Sequence, residues 1–430
     1  MTIIERTDRT LPDVTADLVR GLDRPTLRTP LLDELRASYR PLFEEIGEGA
    51  LQREVDDVLP DQEVGRLKAA GFGALRVPVE YGGRGASIPE LTQLWIDLAA
   101  ADSNLPQALR GHAALVEDRL WQHARGRDQQ VWFDRFVAGE IAGNAWSEVG
   151  ATSIDTQATV LTGQPDGSYL LTGSKFYTTG TVYAEWADVY VRREVPGREA
   201  DFAIALVDTR TPQVTVSDDW DGFGQRGTGS GTTTFDAALV PAEDVLPFGE
   251  RFVHQTALYQ LNLLAVLSGI GKAALREFIG QVQGRERNYS HANAGRVRDD
   301  AQVLARIGEA AAAVHAAEAV TIRTATAVQE VADLPPGADV EIAIANEVAE
   351  LESSAAQVAV TDLILTATTN LFDTLGASGT SRARGLDRHW RNARTVASHN
   401  PRILKARVVG AHLVNGTPPP YAWAIGRTVR

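Results

Sequence analysis

The sequence predicts an α+β fold in three parts: a helical N-terminal domain, a central antiparallel β-barrel or sandwich, and a C-terminal helical bundle. Three observations carry that reading. Good helix formers with apolar periodicity dominate from Leu31 to about Gly139. Residues 151–247 switch to short alternating runs rich in Thr, Val, Tyr and Gly. Helical periodicity then returns after Pro247 and persists almost to the end. At 430 residues the chain is also too long for one simple core.

Residues 1–28 are polar and aperiodic and read as a mobile arm. The helical domain takes 29–145, broken by VPVEYGGRG at 77–85, whose Pro and Gly residues enforce a turn before the helical pattern resumes at Pro89. The β domain takes 146–250. It contains YLLTG (169–173) and DVYVR (188–192), with turn signals such as PDGS at 165–168. The third unit, 251–430, holds two long helices. An alanine-rich one runs from about Asp300 to Val331, and a second starts near Asp339. PPG at 335–337 makes them antiparallel neighbours. In the second helix Ile344, Val348, Leu351, Ala355 and Val358 repeat at 4-3-4-3 spacing and form one apolar stripe. Bundle packing accounts for it, and a subunit interface is a compatible addition.

Composition removes several functions. Lys plus Arg is 42 against 56 Asp plus Glu, a net −14, which argues against a nucleic-acid partner. No cysteine is present, so disulfides, thiolate nucleophiles and iron–sulfur ligation are excluded, and a reducing cytoplasm fits. The first residues lack a secretory pattern. The longest apolar run, Leu258–Gly271, is too short to span a bilayer, so no membrane association is expected. The eight histidines include no i, i+4 pair and no HExxH, so no metal site is expected. GFGQRG at 222–227 fits G-x-G-x-x-G but precedes a β-prone TGSGTTTF, which cannot supply a helix N-terminus for a pyrophosphate; it reads as a loop between strands. No serine sits in a G-x-S-x-G elbow.

Three stretches stand out. GNAWSE (143–148) lies where helix gives way to strand; its side chains can hydrogen-bond the edge of a flat heterocycle or simply form a polar turn. GSKFYTTGT (173–181) is a hydroxyl-rich turn after a strand. RHWRNARTVASHNP (388–401) is dense in cations, aromatics and amides. Asn400–Pro401 stops its helix and leaves His399 at the end, where it can be a tuned catalyst or a capping, solvated residue.

Together with VPVEYGGRG and DDWDGFGQR (218–226), these stretches resemble the acyl-CoA dehydrogenase superfold over roughly residues 60–425. They are most similar to its flavin-dependent, two-component (group D) monooxygenase branch, which includes the dibenzothiophene monooxygenases. Authentic acyl-CoA dehydrogenases use a Glu base and carry a Tyr-Glu-Gly-Thr segment after a Gly-Gly-x-Gly turn. Here the turn is LGASGT (375–380), with RHWRN following. The resemblance therefore implies oxygenation. Reduced FMN, supplied by a separate NAD(P)H:flavin reductase, would react with O2 to a C4a-hydroperoxyflavin and oxygenate a small organic substrate at S, N or aromatic C. FAD is a possible substitute. The alternatives are an FAD-dependent dehydrogenase or oxidase of the same fold, and a non-catalytic helical scaffold.

The resemblance implies His399 as acid or base beside flavin C4a and Asn144 as a contact of the flavin and its adduct. It puts Thr179 at flavin N5, with Ser147 and Thr178 as further cofactor contacts. Tyr177 and Trp220 become aromatics against the ring. Arg287 would bind the flavin phosphate, usually from a neighbouring subunit. Ser378 stands where relatives carry an arginine, which removes one phosphate contact. The family's pocket His and Tyr fall, by ungapped spacing, on Gln107 and Gly111, which should open and reshape the substrate pocket. Trp146 and His112 are further pocket candidates, His112 being equally a satisfied core histidine. A homotetramer assembled through the C-terminal helices is implied. The flavin site must be dry and furnished with fixed hydrogen bonds, and the cofactor carries the hard chemistry.

Overall fold

A computed structural model describes residues 25–148 and 157–421; the expected arm lies outside the described residues up to position 24. Thr29 starts the first helix, α1 (Pro30–Asp56): its side chain accepts from Leu32 N at 3.0 Å, and Pro30 fits the first helical position. α1 buries Leu32, Leu35, Tyr39, Phe43 and Ile46, one face at helical spacing. After α2 (Asp61–Ala69) comes α3 (Ile88–Ala101), opened by a reciprocal Ser87–Glu90 capping box and buried over most of its length. The short α4 (Asn104–Ala108), α5 (Arg110–Ala124) and α6 (Gln130–Val137) complete this unit.

Eight strands follow: β1 (Ala142–Ala145), β2 (Val160–Gly163), β3 (Tyr169–Lys175), β4 (Trp186–Glu194), β5 (Asp201–Asp208), β6 (Val214–Val216), β7 (Thr233–Val240) and β8 (Val245–Pro247). They form one sheet in the order β6-β7-β3-β2-β4-β5-β8, with β1 pairing β4. The sheet is mixed rather than purely antiparallel, because β1 and β2 both run parallel to β4. Those pairings are long-range ones that no alternating pattern reveals. β1 is thereby clamped beside β4, with Asn144 opposite Asp188.

The C-terminal unit is built on α7 (Gln255–Gln283), α8 (Ala301–Ala332) and α9 (Asp339–Asn370). α7 extends well beyond the apolar run noted above. It is long and apolar enough to cross a membrane by length and composition alone, and 94% of its most apolar window is buried inside the fold. It packs against α3, α8 and α9 as a core helix. α10 (Asp387–Ser398) and α11 (Arg402–Asn415) end the described chain.

The stripe on α9 faces the other way from the bundle. Ile342, Ala349, Ala356, Val360 and Ile364 are among the buried residues, whereas Ile344 is 62% and Val348 43% exposed. Small side chains at 349, 353 and 356 let α9 approach its neighbours closely. The larger apolar residues are left outward, and α11, which packs on α9, also exposes Ile403, Leu413 and Val414.

Candidate active site

α5 and β1 meet at Gly111. A Cβ there would lie 2.7 Å from Asn144 N, so only glycine lets the helix approach the strand this closely. The expectation that Gly111 widens a substrate pocket is therefore corrected: a larger side chain has no room at that position. Asn144 N donates to Thr179 O at 3.2 Å, which joins β1 to the turn after β3. The Asn144 side chain is buried, and its Oδ1 has no hydrogen-bond partner among the described residues. Gln107 Oε1, on α4, is in the same condition. A buried acceptor left unpaired is costly, and a polar ligand at this place would relieve the cost.

The turn itself is held by its hydroxyls. Thr178 N and Oγ1 both donate to Gly231 O, at 3.0 and 2.9 Å, and Thr233 Oγ1 donates to Thr178 Oγ1 at 2.8 Å. Thr178 is thus fully committed to the scaffold. Thr179 Oγ1 lies 2.8 Å from Ser230 Oγ. Between them and the strand, Tyr177 is forced to φ +59°, a left-handed conformation costing about 1 kcal/mol or more for a non-glycine residue. That twist leaves its ring half exposed, 5.9 Å from Trp220. Ser147 joins through its backbone, its carbonyl accepting from Phe176 N at 2.9 Å. The GFGQRG loop packs on α10: a Cβ at Gly224 would lie 2.5 Å from Arg391 O, and Gln225 N donates to Asn392 Oδ1 at 2.6 Å.

α10 ends at Ser398, and His399 caps it, facing α5. Arg110 Nη2 lies 3.2 Å from His399 Nε2. A guanidinium only donates, so Nε2 accepts and the neutral ring carries its proton on Nδ1. The surrounding protein, and then the Arg110 charge, push the imidazole pKa down to about 3. His399 is nonetheless an exposed residue, and solvent tempers the shift without reversing its direction.

Behind Arg110 stands an aromatic wall. Its guanidinium lies 5.0 Å over the Tyr259 ring, and Tyr259 is 5.9 Å from Trp146. Trp146 stacks on Tyr190 and is pinned by its indole N–H, which donates to Asp188 Oδ1 at 3.0 Å. Asp188 Oδ2 in turn accepts from Arg251 at 2.5 Å, both side chains being fully buried.

Gly111 thus meets Asn144, and Asn144 bonds Thr179, while His399 is tied to the same helix, α5, through Arg110; Tyr177 lies against Trp220, and Trp146 reaches Arg110 through Tyr259. His112 turns away. Its Nε2 pairs with Gly73 O at 2.9 Å and its Nδ1 accepts from Ala142 N at 3.3 Å, which makes it a core histidine with both nitrogens used. Burial pushes its pKa down to about 4. Arg287 and Ser378 are exposed, and among the described residues no hydrogen bond or ion pair ties either to the cluster. Their two segments do touch, Arg285 donating to Leu375 O. A cavity of about 560 Å³ lies elsewhere, between α1, α3, α7 and α10, and shares no residue with the cluster. Arg110, Tyr259 and the Asp188–Arg251 pair were not singled out from sequence. A lone cation in the buried stretch LRGHAALV was the available signal for Arg110.

The fold and this cluster define a three-unit flavoenzyme scaffold. The chain matches the family models "Acyl-CoA dehydrogenase, N-terminal domain" over residues 29–140, "middle domain" over 143–238 and "C-terminal domain" over 262–401. It belongs to the acyl-CoA dehydrogenase family. More particularly, it is similar to the dibenzothiophene monooxygenase of Rhodococcus qingshengii, 29% identical over 371 residues, 82% of this chain and 86% of the relative. It is 25% identical to the probable FMNH2-dependent monooxygenase SfnC of Pseudomonas putida, over 89% of this chain and 95% of the relative. The FMN-bound crystal structure of TdsC from Paenibacillus sp. A11-2 superposes with a TM-score of 0.82 at 26% identity, over 92% of this chain and 99% of that one.

Proposed function

We infer that the protein is the oxygenase component of a two-component monooxygenase, taking reduced FMN from a separate NAD(P)H:flavin reductase and oxygenating a small organic substrate. The FMNH2-dependent and FMN-bound relatives support this assignment. The dehydrogenase and scaffold alternatives are not favoured. One observation of this chain's own supports it: the buried Asn144 carboxamide, bonded through its backbone to the Thr179 turn, keeps its oxygen unpaired, and α5 beside it carries Arg110, which sets the tautomer of a neutral His399. Bound reduced FMN supplies the activation of dioxygen and the transfer of one oxygen atom.

The protein's own share is positioning. Asn144 Oδ1 would accept from the edge of a bound flavin, with the Thr179 hydroxyl as a further contact. His399 offers its Nδ1–H as a fixed donor rather than a mobile proton, which keeps stray protons from the reacting centre. Tyr177 and Trp220 would pack against the ring, and the Trp146–Tyr259 pair would exclude water from the substrate. Substrate oxidation at S, N or aromatic C, a homotetramer with Arg287 reaching a neighbour's flavin phosphate, and residence in the cytoplasm beside the NAD(P)H pool complete the proposal.

The test is stopped-flow reoxidation of FMNH2 by O2 with the purified protein in excess. The expected result is slowed reoxidation with a transient absorbance that free flavin lacks. Reoxidation at the rate of free FMNH2, with no transient, would contradict the assignment.

A further inference from the structure

Four arginines are buried among the described residues, and their partners separate one from the rest. Arg119 pairs with Asp118, Arg251 with Asp188 and Arg388 with Glu277. The buried lysines follow the same rule: Lys175 sits 2.7 Å from Glu148 and Lys272 3.4 Å from Asp97, while Lys405 faces Glu350. Arg110, 5% exposed, has no carboxylate partner among the described residues. Its contacts are the His399 ring, neutral as argued above, and the face of Tyr259. Its Nε is buried without any hydrogen-bond partner.

An unpaired charge removed from water costs several kcal/mol, and a π-face with one neutral acceptor offsets only part of that. The Asp188–Arg251 pair beside it is already neutral and cannot compensate. Among the described residues the Arg110 charge is therefore uncompensated, and its partner His399 is an exposed residue.

We propose that Arg110 is the specificity-determining residue of this site and that the substrate is a small organic anion, its two-oxygen head (a carboxylate or a sulfinate) held by the Arg110 guanidinium. The planar fork of Arg matches such a head with two parallel N–H···O bonds, and the Trp146–Tyr259 wall receives the apolar remainder. This rests on the oxygenase reading above and deepens it.

Titration calorimetry tests it, with benzenesulfinate and benzoate against their uncharged counterparts methyl phenyl sulfone and benzamide. Each is titrated into FMN-loaded and flavin-free protein, wild type, Arg110→Gln and Arg110→Lys. Each anion is expected to bind the wild type at least roughly tenfold tighter than its neutral counterpart. Arg110→Gln abolishes that preference by weakening the anions far more than the neutral ligands, and Arg110→Lys retains part of it. The tighter of the two anions identifies the head. Equal binding of anion and neutral, absence of binding by both anions, or loss of neutral ligands along with the anions in Arg110→Gln would each overturn the proposal. Failure of the wild type to bind FMN, with anion selectivity intact on flavin-free protein, would instead sink the flavin reading and spare this one.

Discussion

At the residue scale, His399 and Arg110 act as a unit. The surrounding protein disfavours the imidazolium most, and the guanidinium adds to this by its charge and by occupying Nε2. Removing that charge makes protonation easier, so Arg110→Gln should raise the His399 pKa toward the ordinary value near 6.5. An NMR titration of the imidazole checks this; an unchanged midpoint would mean that Arg110 does not control the ring. Asn144→Ala should weaken FMN binding roughly three- to tenfold, the worth of one neutral hydrogen bond, read by fluorescence titration. Asn144, Thr179 and His399 stand out as candidates in the sequence because each lies in a dense local motif. Arg110 was not legible. Ungapped spacing points to Gln107 and Gly111, and nothing local reveals that the cation between them lacks a counter-ion among the described residues, since its partner His399 arrives from the far end of the chain.

At the element scale, the close approach of α5 to β1 positions Asn144. Gly111→Ala places a methyl against Asn144 N and should cost about 1–3 kcal/mol, seen as a lower melting temperature together with weakened FMN binding. Unchanged stability would mean that helix and strand are not in that contact. Long helices were legible to within a residue or two: α8 and α9 begin and end close to where composition and PPG place them. The direction in which α9 presents its faces was not. A 4-3-4-3 apolar stripe announces a buried side, but alanine and serine on the adjacent face allow closer packing, so the bundle uses those and leaves the stripe outside. GFGQRG was rightly separated from a dinucleotide fingerprint, because the β-prone residues after it lead into β7.

At the scale of the whole molecule, the outward apolar residues of α9 and α11 support the proposed homotetramer. Light scattering should give four subunits, and Leu413→Glu with Val414→Glu should shift the protein to smaller species; a monomeric wild type would contradict this. Acid sensitivity has a definite sign. The folded His112 holds its pKa near 4, below the unfolded value near 6.5, so between those values the unfolded chain binds a proton that the folded one refuses. Stability therefore falls as pH drops from 6.5 to 4, by roughly 2–3 kcal/mol from this residue. Glu117 and Glu277, depressed to about 2, add their losses in the same direction below pH 4.5. Melting temperature against pH should decline first in the histidine window, and His112→Asn should flatten that decline. The three-part architecture was legible from the change of periodicity; the parallel pairing of β1 and β2 with β4 was not, because register between distant strands leaves no local trace.

The most direct test of the central claim is a crystal structure of the FMN complex. The account predicts the isoalloxazine ring in contact with Asn144 and Thr179, with His399 and Arg110 on its substrate side. A ring seated elsewhere, for example in the cavity between α1, α3, α7 and α10, would contradict it.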